Sequence, residues 1–162
     1  MENPNIVLFT PGQATEFDAT RTIFREYAES LGVDLCFQDF DTELATLPGA
    51  YVEPRGALLL ATVDGALAGC CALRPLDNVD YPNACEMKRL YVRPGFRGMG
   101  LGRHLVEATL DCARRAGYDC VLLDTLSEME AARALYQELG FWEIPPYYHN
   151  PLPGAHYLKV KL

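Results

Sequence analysis

The order of hydrophobic periods along this chain predicts a mixed α/β fold: a central, mostly antiparallel twisted sheet of about six to seven strands, flanked by helices. Three observations carry that reading. Asp64-Gly65 separates two apolar runs and supplies both residues of a primed hairpin turn. A glycine-rich turn, Arg97-Gly98-Met99-Gly100-Leu101-Gly102, joins a strand-like segment to a long amphipathic one. The buried apolar run Cys120 to Leu123 then follows a helical crossover, so its strand should lie parallel to the one before it.

The elements follow in order. Residues 6–10 form a short β-prone start. Over residues 14–31, Phe17, Thr20, Phe24, Tyr27 and Leu31 recur with a helical period, and Gly32 ends the helix. A second helical piece covers residues 38–47, and Pro48, Gly49 and Pro54 mark a loop. Residues 58–63 and 66–73 are the hairpin strands, and residues 75–83 a polar loop. Residues 85–92 are a strand halted by Arg93-Pro94-Gly95. Leu101, Leu105, Ala108, Cys112 and Ala116 line one face of a helix that Gly117 closes. Residues 118–124 are a buried strand. Ser127-x-x-Glu130 has capping-box spacing and opens a helix striped by Ala132, Leu135 and Leu139, ending at Gly140. Residues 141–144 are a short strand, 145–153 a loop, and 156–162 a final strand of edge type. No repeat or linker composition divides residues 1–162, which read as one domain.

Bulk properties narrow the function. No stretch approaches the ~20 apolar residues of a membrane span. Residues 1–10 lack the basic start and apolar run of a secretory signal. Six cysteines (Cys36, Cys70, Cys71, Cys85, Cys112 and Cys120) show neither zinc-ligand spacing nor a Cys-x-x-Cys pair. Each sits in an apolar or alternating segment, where a free thiol packs as a small core residue. A reducing, cytoplasmic setting without a metal is the expectation. The net charge of −8 argues against a nucleic-acid partner and is compatible with a cationic acceptor such as an amine.

Against that acidic background, residues 86–103 hold Lys88, Arg89, Arg93, Arg97 and Arg103 against Glu86 alone. A basic island around a glycine turn that opens a helix reads as an anion site, with free N–H groups suited to a phosphate. The competing readings are a turn that needs glycine for its dihedrals and a merely solvated basic face.

The segment 97–102 fits the pattern Arg/Gln-x-x-Gly-x-Gly/Ala. Leu90-Tyr91-Val92 with Pro94 precede it, and Ala132-x-x-Leu135-Tyr136-x-x-x-Gly140-Phe141 follows it at matching separations. On these residues the chain resembles the GNAT N-acetyltransferases, from about residue 86 to 141. The resemblance implies the acyl-CoA N-acyltransferase fold, acetyl-CoA as cosubstrate and an amine-bearing acceptor, small molecule or protein. It implies that the backbone N–H groups of the turn, at Gly98, Met99, Gly100, Leu101 and Gly102, cradle the pyrophosphate. Arg97 and Arg103 are the candidate counter-charges, and Arg103 reads equally as a solvated helix residue.

It further implies that Leu90, Tyr91 and Val92 pair their main chain with the pantetheine arm as an added strand does. That requires strand 118–124 to splay away. A backbone N–H from the same three residues would stabilise the oxyanion. Glu86 matches the position where some members carry the general base, acting directly or through a water; the other reading is a surface or ion-paired glutamate. Tyr136 matches the family's general acid towards the CoA thiolate; the other reading is a packed tyrosine that hydrogen-bonds the sulfur. Members often place asparagine where this chain has Met129, which cannot make the same polar contact.

Cys85 adjoins Glu86 but should face the opposite side of the sheet, as core. His104, His149 and His156 lack ligand spacing. Trp142, Tyr147, Tyr148 and Tyr157 either wall an acceptor pocket or pack the sheet. The predicted reaction is direct transfer to an amine in a ternary complex; the alternative is a non-catalytic acyl-CoA sensor or partner module. No nucleic acid or membrane partner is expected, and a homodimer could form by pairing of the last strand.

Overall fold

A computed structural model describes residues 3–32, 34, 35 and 38–162. Cys36, and the first two residues of the segment inspected for a secretory signal, lie outside them. The sheet has seven strands in the order β1-β2-β3-β4-β5-β7-β6. They are β1 (Ile6–Phe9), β2 (Ala57–Val63), β3 (Ala66–Leu76), β4 (Ala84–Val92), β5 (Cys120–Leu126), β6 (Trp142–Ile144) and β7 (Ala155–Lys161). The helices are α1 (Ala14–Leu31), α2 (Phe40–Ala45), α3 (Leu101–Arg115) and α4 (Glu130–Glu138). All pairings are antiparallel except β4 with β5, the pair set by the α3 crossover.

The central strands are apolar on both faces because both faces are covered. Leu58, Leu60, Cys70 and Ala72 join Ile23 and Phe24 of α1 and Phe40 and Leu44 of α2 in one core. Leu59, Ala61, Cys71, Leu73, Cys85 and Met87 join Leu101, Leu105, Val106 and Leu110 of α3 in the other. The period-2 alternation of β2 and β3 thus sorts their side chains between two layers of helix. The hairpin turn has φ of +51° at Asp64 and +83° at Gly65, the signs a primed turn requires. At the start of α1, the Glu16 carboxylate accepts from the N–H groups of Gly12 (2.8 Å) and Gln13 (3.1 Å), satisfying donors the helix leaves open.

Four sequence expectations are corrected. Residues 75 and 76, the start of the expected loop, belong to β3, where Arg74, Pro75 and Leu76 pair with Glu86, Cys85 and Ala84. The last β2 partner is at Leu73, so beyond it β3 has lost one neighbour, a position where proline is tolerated. Ser127 does not cap α4. Its hydroxyl bonds the Gly154 carbonyl (3.1 Å) and His156 Nε2 (2.7 Å), and Met129 stands at the cap. The final strand is not an edge: β7 lies between β5 and β6, so its main chain is already paired on both sides. The predicted helix over 38–47 shrinks to α2, residues 40–45.

Two irregularities position the site. β4 and β5 pair only at Ala84–Cys120, Cys85–Val121 and Glu86–Leu122, and then diverge. The splay anticipated from the sequence is present. In β4, Arg89 and Leu90 fall between Lys88, which pairs with Ala72, and Tyr91, which pairs with Cys70. Two residues oppose Cys71 alone, a β-bulge, and Arg89 takes φ of +62°.

Beside the bulge, Gly69 has no room for a side chain: a Cβ there would sit 2.9 Å from the Tyr91 carbonyl oxygen and 3.0 Å from Leu105 Cδ1. Gly69→Ala must push β4 or α3 outward. We expect a loss of about 1–3 kcal/mol in urea unfolding, the usual range for overpacking a core; an unchanged midpoint would refute the close approach.

Candidate active site

Past Glu86, β4 has no strand partner on the side that faced β5 among the described residues, and a cleft opens there. It is bounded by Leu90 to Val92 on β4, by Phe96 to Gly102, by Tyr27 and Leu31 at the end of α1, and by Met129 to Leu135 at the start of α4. Gly98 and Gly100 have φ of +87° and +79°, and a Cβ at either would meet nothing within 4 Å. Glycine is therefore needed here for conformation, and the space above the turn is open. Leu101, 1% exposed, anchors α3 in the core, and Met99 packs against the same core from the turn.

The basic island is largely neutralised from outside its own window. Arg89 pairs with Glu43, Arg93 with Glu26 (2.6 Å), and Arg103 with Glu138 and Glu107. Arg103 does not line the cleft; its charge is spent towards α4. Lys88 and Arg97 alone of the five make no ion pair among the described residues. Arg97 Nε donates to the Val92 carbonyl (3.0 Å), and its guanidinium lies 6.0 Å from the Tyr91 ring centre at the cleft wall.

At its inner end the cleft meets a small junction cavity, sharing Tyr27, Leu31, Leu90 and Met129 with it. Asp124 and Tyr136 also line the junction. Tyr136 is 5% exposed, its ring packs 5.5 Å from that of Phe141, and its hydroxyl has no hydrogen-bond partner among the described residues. Burial raises the hydroxyl well above the usual phenol range, so it is a standing proton donor. Asp124 accepts from the Tyr148 hydroxyl and from Asn150 Nδ2 (2.8 Å), both neutral donors. Met129 stands where the family often has asparagine; its sulfur accepts the Thr125 hydroxyl (3.6 Å) and it lines both spaces.

Beyond the junction lies a second cavity, reached past Gln38 and Lys88, which border both. Arg74, Glu86, Tyr51 and Tyr148 line it. Glu86 is 1% exposed and both its oxygens are taken: Oε1 by Arg74 Nε (2.7 Å) and Oε2 by the Tyr147 hydroxyl (2.6 Å). The sequence alternative of an ion-paired glutamate describes this geometry. Lys88 is half-buried between the two spaces. Burial, and then the neighbouring Arg89 charge, push its ammonium down to about 8.

The bulge that separates these residues is held by Arg89. Its Nε and Nη2 donate to the two Glu43 oxygens (2.9 and 2.8 Å), and Nη1 donates to Gln38 Oε1 (2.8 Å). The guanidinium also lies 5.8 Å from the Tyr27 ring centre and 5.1 Å from that of Phe40. Sequence reading counted Arg89 only as island charge. Its partners lie 46 and 51 residues away, and no local signal foretells a left-handed arginine.

Of the aromatic group, Tyr147, Tyr148 and Tyr157 pack mutually at 5.3–5.6 Å, while Trp142 is 47% exposed beside Lys159. Cys85 is buried and its thiol approaches the Cys120 carbonyl (3.5 Å). Among the described residues no His/Cys/Asp/Glu group could hold a metal ion, and no helix is long and apolar enough to cross a membrane.

Residues 17–141 match the model of the acetyltransferase (GNAT) family. This chain belongs to that family. An uncharacterised N-acetyltransferase of Schizosaccharomyces pombe is 37% identical over 163 aligned positions, covering 100% of this chain and 98% of its own. The human N-acetylaspartate synthetase is 30% identical over 136, covering 83% of this chain and 41% of its own length. An acetyltransferase from Salmonella typhimurium, solved with its cofactor acetyl-CoA, shares the fold with a TM-score of 0.71, at 20% identity over 96% of this chain and 93% of its own. The chain is an N-acetyltransferase on the GNAT fold.

Glu43→Gln tests the support of the bulge. It leaves the Arg89 guanidinium, 2% exposed at its side chain, without its charge partner. We expect a loss of about 3 kcal/mol in urea unfolding; a loss below about 0.5 kcal/mol, the size of an exposed pair, would show the pair to be incidental.

Proposed function

We propose that this GNAT enzyme moves the acetyl group directly from acetyl-CoA to an amine inside a ternary complex built along the β4 edge. The observation that carries this is the β4 edge at Leu90, Tyr91 and Val92, without a strand partner on the cleft side, ending at a junction that holds a tyrosine hydroxyl with no hydrogen-bond partner among the described residues. The residues present suit the cosubstrate. An extended pantetheine arm pairs with an open strand edge as an added strand does. The open space above Gly98 and Gly100, at the N-terminus of α3, suits a pyrophosphate, with the N–H groups of residues 98–102 as donors. Arg97, unpaired at the cleft wall, supplies the counter-charge. Arg103, tied to α4, does not.

With the arm so placed, the thioester reaches the junction. An amine of ordinary pKa, ~10, must lose a proton before it attacks the carbonyl. Glu86 lines the second cavity and not the junction, and is held there by Arg74 and Tyr147, so it would take that proton through a water or through Tyr147. Asp124, met by neutral donors and lining the same cavity as Tyr136, needs no relay and is the better placed acceptor. A backbone N–H of residues 90–92 receives the oxyanion.

The CoA sulfur then leaves beside Tyr136. A buried phenol with a raised pKa is a poor acid towards a thiol of pKa ~8.5, so its main contribution is a hydrogen bond to the thiolate, with proton transfer completing as the product departs. A relative named for N-acetylaspartate makes amino acids the acceptor class to test first. Five described cysteines are free thiols, which supports a reducing, cytoplasmic setting. Residues 1–162 would act as one domain around the one sheet. A dimer, if formed, would use β1 or β6, the two strands at the sheet's edges.

CoA release measured against an amine panel tests this reading. Tyr136→Phe, which removes the hydrogen bond to the thiolate, should lower kcat by about 10- to 100-fold while acetyl-CoA still binds. Tight acetyl-CoA binding with no turnover on any amine would favour the sensor alternative instead.

A further inference from the structure

Most charges around the second cavity are spent on one another. Glu43 holds Arg89, and Glu86 holds Arg74 through Nε alone. Two charges are left over where the cavity meets the junction. The Lys88 ammonium makes no hydrogen bond or ion pair among the described residues. Among the described residues the Asp124 carboxylate is bonded only by neutral groups, Tyr148 and Asn150. Both line the junction cavity, yet no ion pair joins them, so an unpaired cation and an unpaired anion are held apart across one small space. Both side chains are half-buried, where charges without partners cost most when nothing bridges them. Neither Nη nitrogen of Arg74, further into the second cavity, has a hydrogen-bond partner among the described residues. Asp39, which also borders that cavity, is exposed to water.

A molecule carrying both charges a few ångströms apart would complete this arrangement. We propose that the acceptor is a free α-amino acid, bound as a zwitterion with its carboxylate on Lys88 and its ammonium towards Asp124. The side chain then extends into the second cavity, where the Arg74 Nη groups favour a polar or acidic one. This orientation sets the α-nitrogen beside Tyr136 and Leu90, where the thioester ends in the ternary complex described above. The depressed Lys88 ammonium is consistent with a cation awaiting a counter-ion, because a bound carboxylate would restore its charge. A monoamine offers nothing to Lys88, and an amino-acid amide offers at most a neutral carbonyl, so either leaves the half-buried ammonium without a counter-charge, which is how a site built for a charged group rejects an analogue lacking it.

The inference rests on the acetyl-transfer reading, and the test separates the two. Binding of each standard L-amino acid and its α-carboxamide to the CoA-loaded protein is measured by calorimetry, beside CoA release from acetyl-CoA. We expect at least one amino acid to exceed its own amide by about tenfold or more, the value of a hydrogen bond to a charged group. That preference should shrink in Lys88→Met and return in Lys88→Arg, whose restored charge separates loss of the contact from loss of the fold. Amides that bind and react as well as the acids, or an acid preference untouched in Lys88→Met, would overturn the zwitterion cradle and leave the acetyltransferase intact. Amino acids that bind preferentially without any CoA release would support the cradle and overturn the transfer reading. Acetylation confined to lysine side chains or N-termini of peptides, with no binding of free amino acids, would likewise overturn the proposal.

Discussion

Everything functional here depends on β4 and β5 parting company after Glu86 and Leu122. A parallel pair normally continues to its full length, because each unpaired N–H and C=O in a sheet interior is costly. Here β5 keeps its partner β7 along its whole length, while β4 keeps β3. The strands separate between these two ladders, so the groups left without a strand partner lie on the two edges that face each other, one on β4 and one on β5. The β4 edge faces a cleft rather than a core. A guest with amide groups at strand spacing could occupy it, and in the proposed complex the pantetheine arm is that guest.

The divergence needs a brace, and the bulge at Arg89 supplies one. A left-handed non-glycine residue costs of order 1–2 kcal/mol. The arginine repays this by pairing with Glu43 and Gln38 and by lying against the rings of Tyr27 and Phe40. These partners come from α1, α2 and the segment between them, so the helical layer over one face of the sheet is locked to the residue that shapes the other wall of the site. The bulge also sets Lys88 and Leu90 on the junction, one bordering the second cavity and the other the cleft.

Local signals foretold most of the fold. The helix over Ala14–Leu31, the Asp64-Gly65 turn and the α3 crossover rest on periodicity and turn chemistry, which a linear chain displays. What failed was contextual. Pro75 reads as a loop breaker unless β2 is known to stop opposite Leu73. Ser127 and Glu130 have the spacing of a cap, but Gly154 and His156 claim the serine. The last strand reads as an edge because β6, a three-residue strand, is too short to announce that it lies outside. The glycine turn was legible because its requirement, positive φ at Gly98 and Gly100, is written in residue type. The electrostatics were not. Five basic residues in one window suggested a broad anion site, yet Glu26, Glu43, Glu107 and Glu138 neutralise three of them in space. Lys88 and Asp124 could be seen as unpaired only once Arg74, Arg89, Glu43 and Glu86 around them had found their partners.

The central claim is that the free edge of β4 and the glycine turn together form the surface that acetyl-CoA occupies. Amide hydrogen exchange, resolved by residue with and without acetyl-CoA, reads that surface directly. Marked slowing is expected at residues 90–92 and 98–102, with little change at β1 and β6. Saturable binding that leaves those amides exchanging at their unliganded rates would contradict the account.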